Sequence, residues 1–252
     1  MKMEFEKINY HSNLLKDKTI VISGAGSGIG RQIARSYAEF GADLILLSKS
    51  IEKLESIYEE INKISSKSVI IQPVDFKTAD EKNYQEIVGA IKEEYSQIDG
   101  LVNNAGVLGE KKPLEQYSYS VWKEVIKVNL DASFLLTKNL IPLLKESSSS
   151  SIIFTSSGVG RKGRAYWGAY SISKFATEGM MQILFDELQN TTSIRVNCIN
   201  PGAVRTKMRE SAYPAENPES NPSAIEIMNP YLYLMSDLSK DISGQSIDAQ
   251  EH

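Results

Sequence analysis

Short apolar runs punctuate the chain at near-regular intervals: TIVISG (19–24), LILL (44–47), SVIIQPV (68–74), IDGLVNN (98–104), SIIFTSS (151–157) and IRVNCIN (194–200). A weaker run, GQSIDA (244–249), closes the series. They read as strands buried on both faces. Between them lie helix-length segments, roughly 28–40, 51–64, 80–96, 119–145, 168–189 and 223–237. Strand and helix therefore alternate. With right-handed crossovers this order predicts an α/β, doubly wound sheet of seven mostly parallel strands, flanked by helices on both faces. Ligands of such sheets bind at the carboxyl ends of the strands.

Composition narrows this to one domain spanning 1–252. The 252 residues are 41% apolar, enough for one sizeable core, and the serine run 147–151 is too short for an interdomain linker. Residues 1–16 form an N-terminal extension without the apolar stretch of a signal peptide. No segment approaches the roughly 20 apolar residues of a membrane span, so a cytoplasmic location without membrane contact is expected. A net charge of −4 gives no nucleic-acid footprint, and the short clusters Lys111-Lys112 and Arg161-Lys162-Gly163-Arg164 read as loop solubility. The single cysteine, Cys198, sits in a buried-strand context as inert packing. The two histidines, His11 and His252, lie near the termini. A Ser-His-Asp hydrolase or a histidine-based metal site thus has nothing to be built from, and no metal is expected.

The first strand runs into SGAGSGIGRQIA, with Gly24, Gly28 and Gly30 spaced G-x-x-x-G-x-G. Glycines there let the chain turn sharply and bring backbone N–H groups to a pyrophosphate at the positive end of the following helix. The plainer alternative is a tight strand-to-helix connection. The second strand ends LLSKS, with Ser48, Lys49 and Ser50 in place of the acid that grips a ribose 2′-hydroxyl. Lysine and hydroxyls would pair with a 2′-phosphate, which favours NADP(H), with NAD(H) as the alternative.

Tyr170 and Lys174 in GAYSISKF stand four residues apart, on one helical face. A nearby ammonium lowers a phenol pKa, so the pair can serve as a general acid/base, though such spacing also arises by chance in solvated helices. Ser157 ends a strand where ligands bind. Asn129 lies on the stripe Trp122, Val125, Asn129, Ala132 and Leu136 and should point inward; a structural amide would satisfy the same pattern.

Together SGAGSGIG, NNAG (103–106), Asn129 in VNL, SS (156–157), YSISK (170–174) and NPGAVRT (200–206) resemble the short-chain dehydrogenase/reductase family over about residues 17–249. GRAYWGAYSISKFATEGMMQ, RVNCINPG and TKMRESAYP look closest to its bacterial YciK-like oxidoreductases. The resemblance implies a Rossmann-fold, NADP-preferring oxidoreductase acting on alcohol and carbonyl groups. Tyr170 would be the acid/base, Lys174 its modulator and ribose ligand, Ser157 rather than Ser156 the substrate donor, and Asn129 the holder of a relay water. Gly24, Ser27, Gly28, Ile29 and Gly30 would line the pyrophosphate, and Ser48 and Lys49 the 2′-phosphate. Asp75 and Phe76 would flank the adenine, Asn103, Ala105 and Gly106 its ribose, and Pro201, Gly202, Val204 and Thr206 the nicotinamide. Relatives pair through the helices at 119–145 and 168–189, so a homodimer or homotetramer is expected. Residues 207–222, rich in Pro, Asn, Ser and Glu, read as a mobile substrate lid or as a surface loop with no gating role. Tyr166 and Trp167 read as cleft wall or packing.

Overall fold

The computed structural model describes residue 5 and residues 10–250. His252 and most of the first nine residues of the N-terminal extension therefore lie outside the described residues. Seven strands form one all-parallel sheet in the order β3-β2-β1-β4-β5-β6-β7. They are β1 (Thr19–Ser23), β2 (Asp43–Ser48), β3 (Val69–Pro73), β4 (Gly100–Asn103), β5 (Ser150–Thr155), β6 (Ile194–Asn200) and β7 (Ser246–Asp248). The order reverses between β1 and β4, and a crevice opens where the chains leave those two strands in opposite directions.

Strand alternation builds two cores from one sheet. Ile20, Ile22, Leu44 and Leu46 face one side, with Ile33 and Tyr37 of α1 (Gly28–Glu39), Leu54 of α2 (Ile51–Asn62) and the tyrosine-rich segment around Tyr231. Val21, Ile45, Leu47 and Leu101 face the other, with Tyr84 of α3 (Glu81–Glu94) and the long helices that follow β4 and β5. Leu14 and Leu15 of the expected extension are buried in the first of these cores.

The 119–145 prediction resolves into α4 (Tyr119–Ile126), a π-helical turn (Lys127–Asp131) and α5 (Ala132–Glu146), continuous with one another. A π-turn holds one extra residue per turn and so re-aims the side chains on it. Asn129 sits in that turn. Helix α6 (Gly168–Leu188) begins at Gly168, whose φ of +35° and position against the Tyr117 ring suit a residue without a Cβ.

Two segments gain detail. The segment 207–222 contains α7 (Lys207–Ala212) and a 3₁₀ turn at Pro218–Ser220. Arg209 donates to both carboxylate oxygens of Glu216, at 2.6 and 2.5 Å, which ties the helix to the turn beyond it. The 223–237 helix is divided, because Pro230 lacks the N–H that continuity requires. A 3₁₀ turn (Ala224–Ile227) precedes α8 (Asn229–Met235), where Pro230 stands in the first turn.

Candidate active site

The carboxyl ends of β1, β2, β4, β5 and β6 open onto a cleft of about 740 Å³. At its floor β1 turns into α1. Gly24 adopts φ +70° with its Cα against the backbone of Ala105, where a Cβ would come within 2.9 Å of that residue's Cα. Gly30 lies beneath it, and a Cβ there would collide with the Gly24 carbonyl and the Asn104 amide. Ser27 is the N-cap of α1, yet its side chain makes no capping bond. The first-turn N–H groups therefore face the cleft with nothing bonded to them from that cap, the arrangement that receives a phosphate. Ser27, Gly28, Ile29, Ser48, Lys49, Asp75, Phe76, Ala105 and Gly106 line this half. Lys49 is exposed and makes no ion pair among the described residues. No carboxylate stands at the end of β2. These residues fit a dinucleotide carrying a 2′-phosphate.

The other half is lined by Ser157, Tyr170 and Lys174, with Pro201, Gly202, Val204 and Thr206 from the loop after β6. Tyr170 is 8% exposed and Lys174 5%. The Lys174 ammonium donates to the Thr155 carbonyl at 2.6 Å and lies 5.7 Å from the centre of the Tyr170 ring. Burial pulls the Lys174 pKa down to about 8, against smaller upward pulls from Cys198 and Glu178. Burial also raises the Tyr170 phenol above its ordinary value, opposed by its hydrogen bond with Ser157. The sequence expectation was the reverse for the tyrosine. Desolvation dominates here because Lys174 is engaged by Thr155 instead of the phenolic oxygen.

Ser156 and Ser157 are separated by strand parity. The Ser157 hydroxyl faces the cleft and accepts weakly from the Val159 N–H, while Ser156 is 1% exposed and donates to Glu178 at 2.5 Å. Asn129, also buried, accepts the Val107 N–H at 2.8 Å and donates to the Val107 carbonyl and the Ser173 hydroxyl. Its amide thus pins the loop after β4 to the π-turn. Neither it nor Gly30 lines the cleft.

Asn103 does not reach the cleft either. Its side chain donates to Thr137 on α5 at 2.9 Å, and Asn104 lines the cleft in its place. Strand parity could have found this: Leu101 faces the α5 side, so Asn103 must as well. Tyr166 is 56% exposed at φ +71°, outside the cleft, whereas Trp167 lines it. Lys111, expected to be only a soluble loop residue, reaches across the mouth. Its ammonium lies 4.4 Å from the Trp167 ring centre and 4.2 Å from that of Tyr213, and donates to the Ala212 carbonyl. No local sequence signal marks this contact, which joins three distant segments. Among the described residues no group of His, Cys, Asp or Glu side chains could hold a metal ion, and no helix is long and apolar enough to cross a membrane.

A parallel sheet reversing at β1/β4, a glycine-lined turn into a helix N-terminus and a Ser-Tyr-Lys group in the adjoining cleft are the features of a dinucleotide-dependent oxidoreductase. The chain belongs to the short chain dehydrogenase family, which it matches over residues 18–217. It is 46% identical over 238 residues to the oxidoreductase YciK of Escherichia coli K12, covering 94% of each chain. A short chain dehydrogenase of Shigella flexneri 2a, solved in complex with NADP, superposes with a TM-score of 0.93 at 45% identity, covering 96% of this chain and 100% of that one. One from Escherichia coli CFT073, complexed with NADPH, gives the same TM-score, identity and coverage.

Proposed function

We propose that the protein is an NADP(H)-dependent carbonyl reductase/alcohol dehydrogenase in which Tyr170 moves the proton. The observation that carries this reading is the convergence of Ser157, Tyr170 and Lys174 on one cleft with the Gly24–Gly30 cradle and an unpaired Lys49. The nicotinamide, when bound, supplies or takes up the hydride. In the reductive direction the Ser157 hydroxyl donates to the substrate carbonyl oxygen, and Tyr170 gives its proton to the alkoxide that develops there. Its raised pKa keeps the phenol protonated across the neutral range, ready for that transfer. In oxidation the same oxygen receives the proton. Lys174, fixed by the Thr155 carbonyl, holds positive charge beneath the reacting end of the cleft. The NADP-bound relatives support the cofactor assignment, and so does the absence of an acid after β2.

The substrate end of the cleft is walled by Leu108, Trp167, Met208 and Ala212. Residues 207–222 supply part of that wall, so they are assigned as the substrate segment. The wall is mixed: Leu108, Trp167 and Met208 are apolar or aromatic, and Arg205, Lys207 and Arg209 add basic groups beside them, which suits a carbonyl compound without dictating its tail.

The test is a panel of aldehydes and ketones followed at the NADPH absorbance, with the Tyr170→Phe variant alongside. Removing a general acid lowers turnover about 10²- to 10⁴-fold. NADPH at a hundredfold excess over Kd should add about 2.7 kcal/mol of stability to both proteins. Full activity in the variant overturns the role of Tyr170. A larger thermal shift with NADH than with NADPH overturns the cofactor assignment. Binding of NADPH without turnover of any carbonyl would favour a cofactor-sensing role.

A further inference from the structure

Glu178 lies on α6 one turn beyond Lys174 and two beyond Tyr170, so the three side chains share a buried stripe. It is 7% exposed, which is unusual for a glutamate unless its charge is met. Its partners come from every element packed against it. From the end of β5 the Ser156 hydroxyl donates at 2.5 Å, and from β7 the Ser246 hydroxyl donates at 2.8 Å. From the turn after β5 the Arg161 guanidinium lies 3.6 Å away. Arg161 is itself held by Asp248 at 2.7 Å, and Asp248 by the Asn200 amide at 2.6 Å. From β6 the Cys198 thiol faces it, its pKa raised by burial and by this carboxylate. On its own helix the nearest charge is Lys174.

Ser156 stands between Thr155, whose carbonyl receives Lys174, and Ser157, the hydroxyl beside Tyr170. Fixing Ser156 therefore fixes both neighbours against α6. We propose that Glu178 is a positioning residue of the active site: its carboxylate, clamped by Ser156, Ser246 and Arg161, locks the end of β5 to α6 and stabilises the ammonium form of Lys174. Glu178 touches no substrate or cofactor and acts through Lys174 and Ser156. The assignment rests on the active-site reading of Tyr170 and Lys174, but it makes a physical claim that needs no turnover.

A merely structural glutamate would leave the titration of Lys174 in place. A positioning charge would not. Protein labelled with ¹³Cε-lysine is titrated by NMR, with the Lys174 signal assigned by its loss in Lys174→Arg. Titration near pH 8 is expected in the natural protein. In Glu178→Gln the midpoint should fall by about one pH unit, a tenfold change in the protonation equilibrium, because a buried opposite charge one helical turn away is lost. In Arg161→Gln the midpoint should rise, since the carboxylate then acts with less neutralisation. Arg161 is partly exposed, so this second variant is expected to fold even if the first does not. Opposite displacements support the assignment even if no carbonyl compound is turned over, in which case only the reductase reading falls. An unmoved midpoint in Arg161→Gln, or shifts of the same sign in both variants, overturns it.

Discussion

Among the side chains of the site, Lys174 bears the largest electrostatic burden. It is 5% exposed, and burial brings its pKa from 10.5 to about 8. Below pH 8 the folded and unfolded chains both carry the proton, and the full desolvation penalty is present. Between about 8 and 10.5 only the unfolded chain binds it, so stability rises with pH through that window. At about 1.4 kcal/mol per unit the penalty at neutral pH is roughly 3 kcal/mol, offset in the natural protein by the bond to Thr155. Lys174→Met should therefore lose activity yet unfold at higher urea concentration at pH 7, by up to about 2 kcal/mol after the lost hydrogen bond is deducted. That advantage should shrink between pH 8 and pH 10. Urea titrations at the two ends of the window check it, and a constant difference would refute it. At this scale the sequence was legible where chemistry is local. The Tyr170–Lys174 spacing showed that the two residues share a face, because helix geometry dictates it. It did not show which effect controls the tyrosine, since desolvation depends on everything packed around the ring. Asn103 and Asn104 show the same limit: both stand in NNAG, and only the sheet decides which one faces the cleft.

Elements were read from periodicity wherever packing agrees with it. Helix α6 and strand β6 begin where the pattern places them. Periodicity is silent where tertiary contacts build an element that composition does not announce. Residues 207–222 are polar and proline-rich, but α7 is held by Arg209 on Glu216 and by two cations against the Tyr213 ring. Lys111 stands 4.2 Å from that ring centre and Arg209 4.0 Å. Cation–π contacts of this kind contribute about 0.5–2 kcal/mol each. Tyr213→Ala should consequently loosen α7 and raise the rate of tryptic cleavage at Lys207 and Arg209, roughly 5- to 30-fold, if local opening limits cleavage. The fold as a whole should keep its far-UV signature. Cleavage at the natural rate would show that Tyr213 does not secure the segment.

For the whole molecule, the helices that follow β4 and β5 carry several apolar side chains that the fold leaves exposed. Tyr119 on α4, Phe134 on α5 and Phe175 and Ile183 on α6 are 72%, 50%, 45% and 60% exposed. These are the helices through which self-association is expected, and burying one such side chain is worth about 1.5–3 kcal/mol. Light scattering after size exclusion should show a homodimer or homotetramer. Phe175→Glu with Ile183→Glu should weaken it at least tenfold, leaving the NADPH thermal shift unchanged. A monomer in the natural protein at micromolar concentration would remove that expectation.

The amino-acid order by itself determined the alternation of strand and helix, the single sheet, the glycine-rich turn after β1 and the Tyr170–Lys174 pair proposed for proton transfer. These follow from periods of two and 3.6 residues, from glycine's missing Cβ and from the absence of usable histidine. The tertiary structure alone decided that Lys174 meets Thr155, that Ser156 is claimed by Glu178, that Lys111 bridges Trp167 and Tyr213, and that Asn129 ties down Val107. Each joins residues far apart in the chain, or depends on how deeply a charge is buried, and no local pattern encodes either quantity.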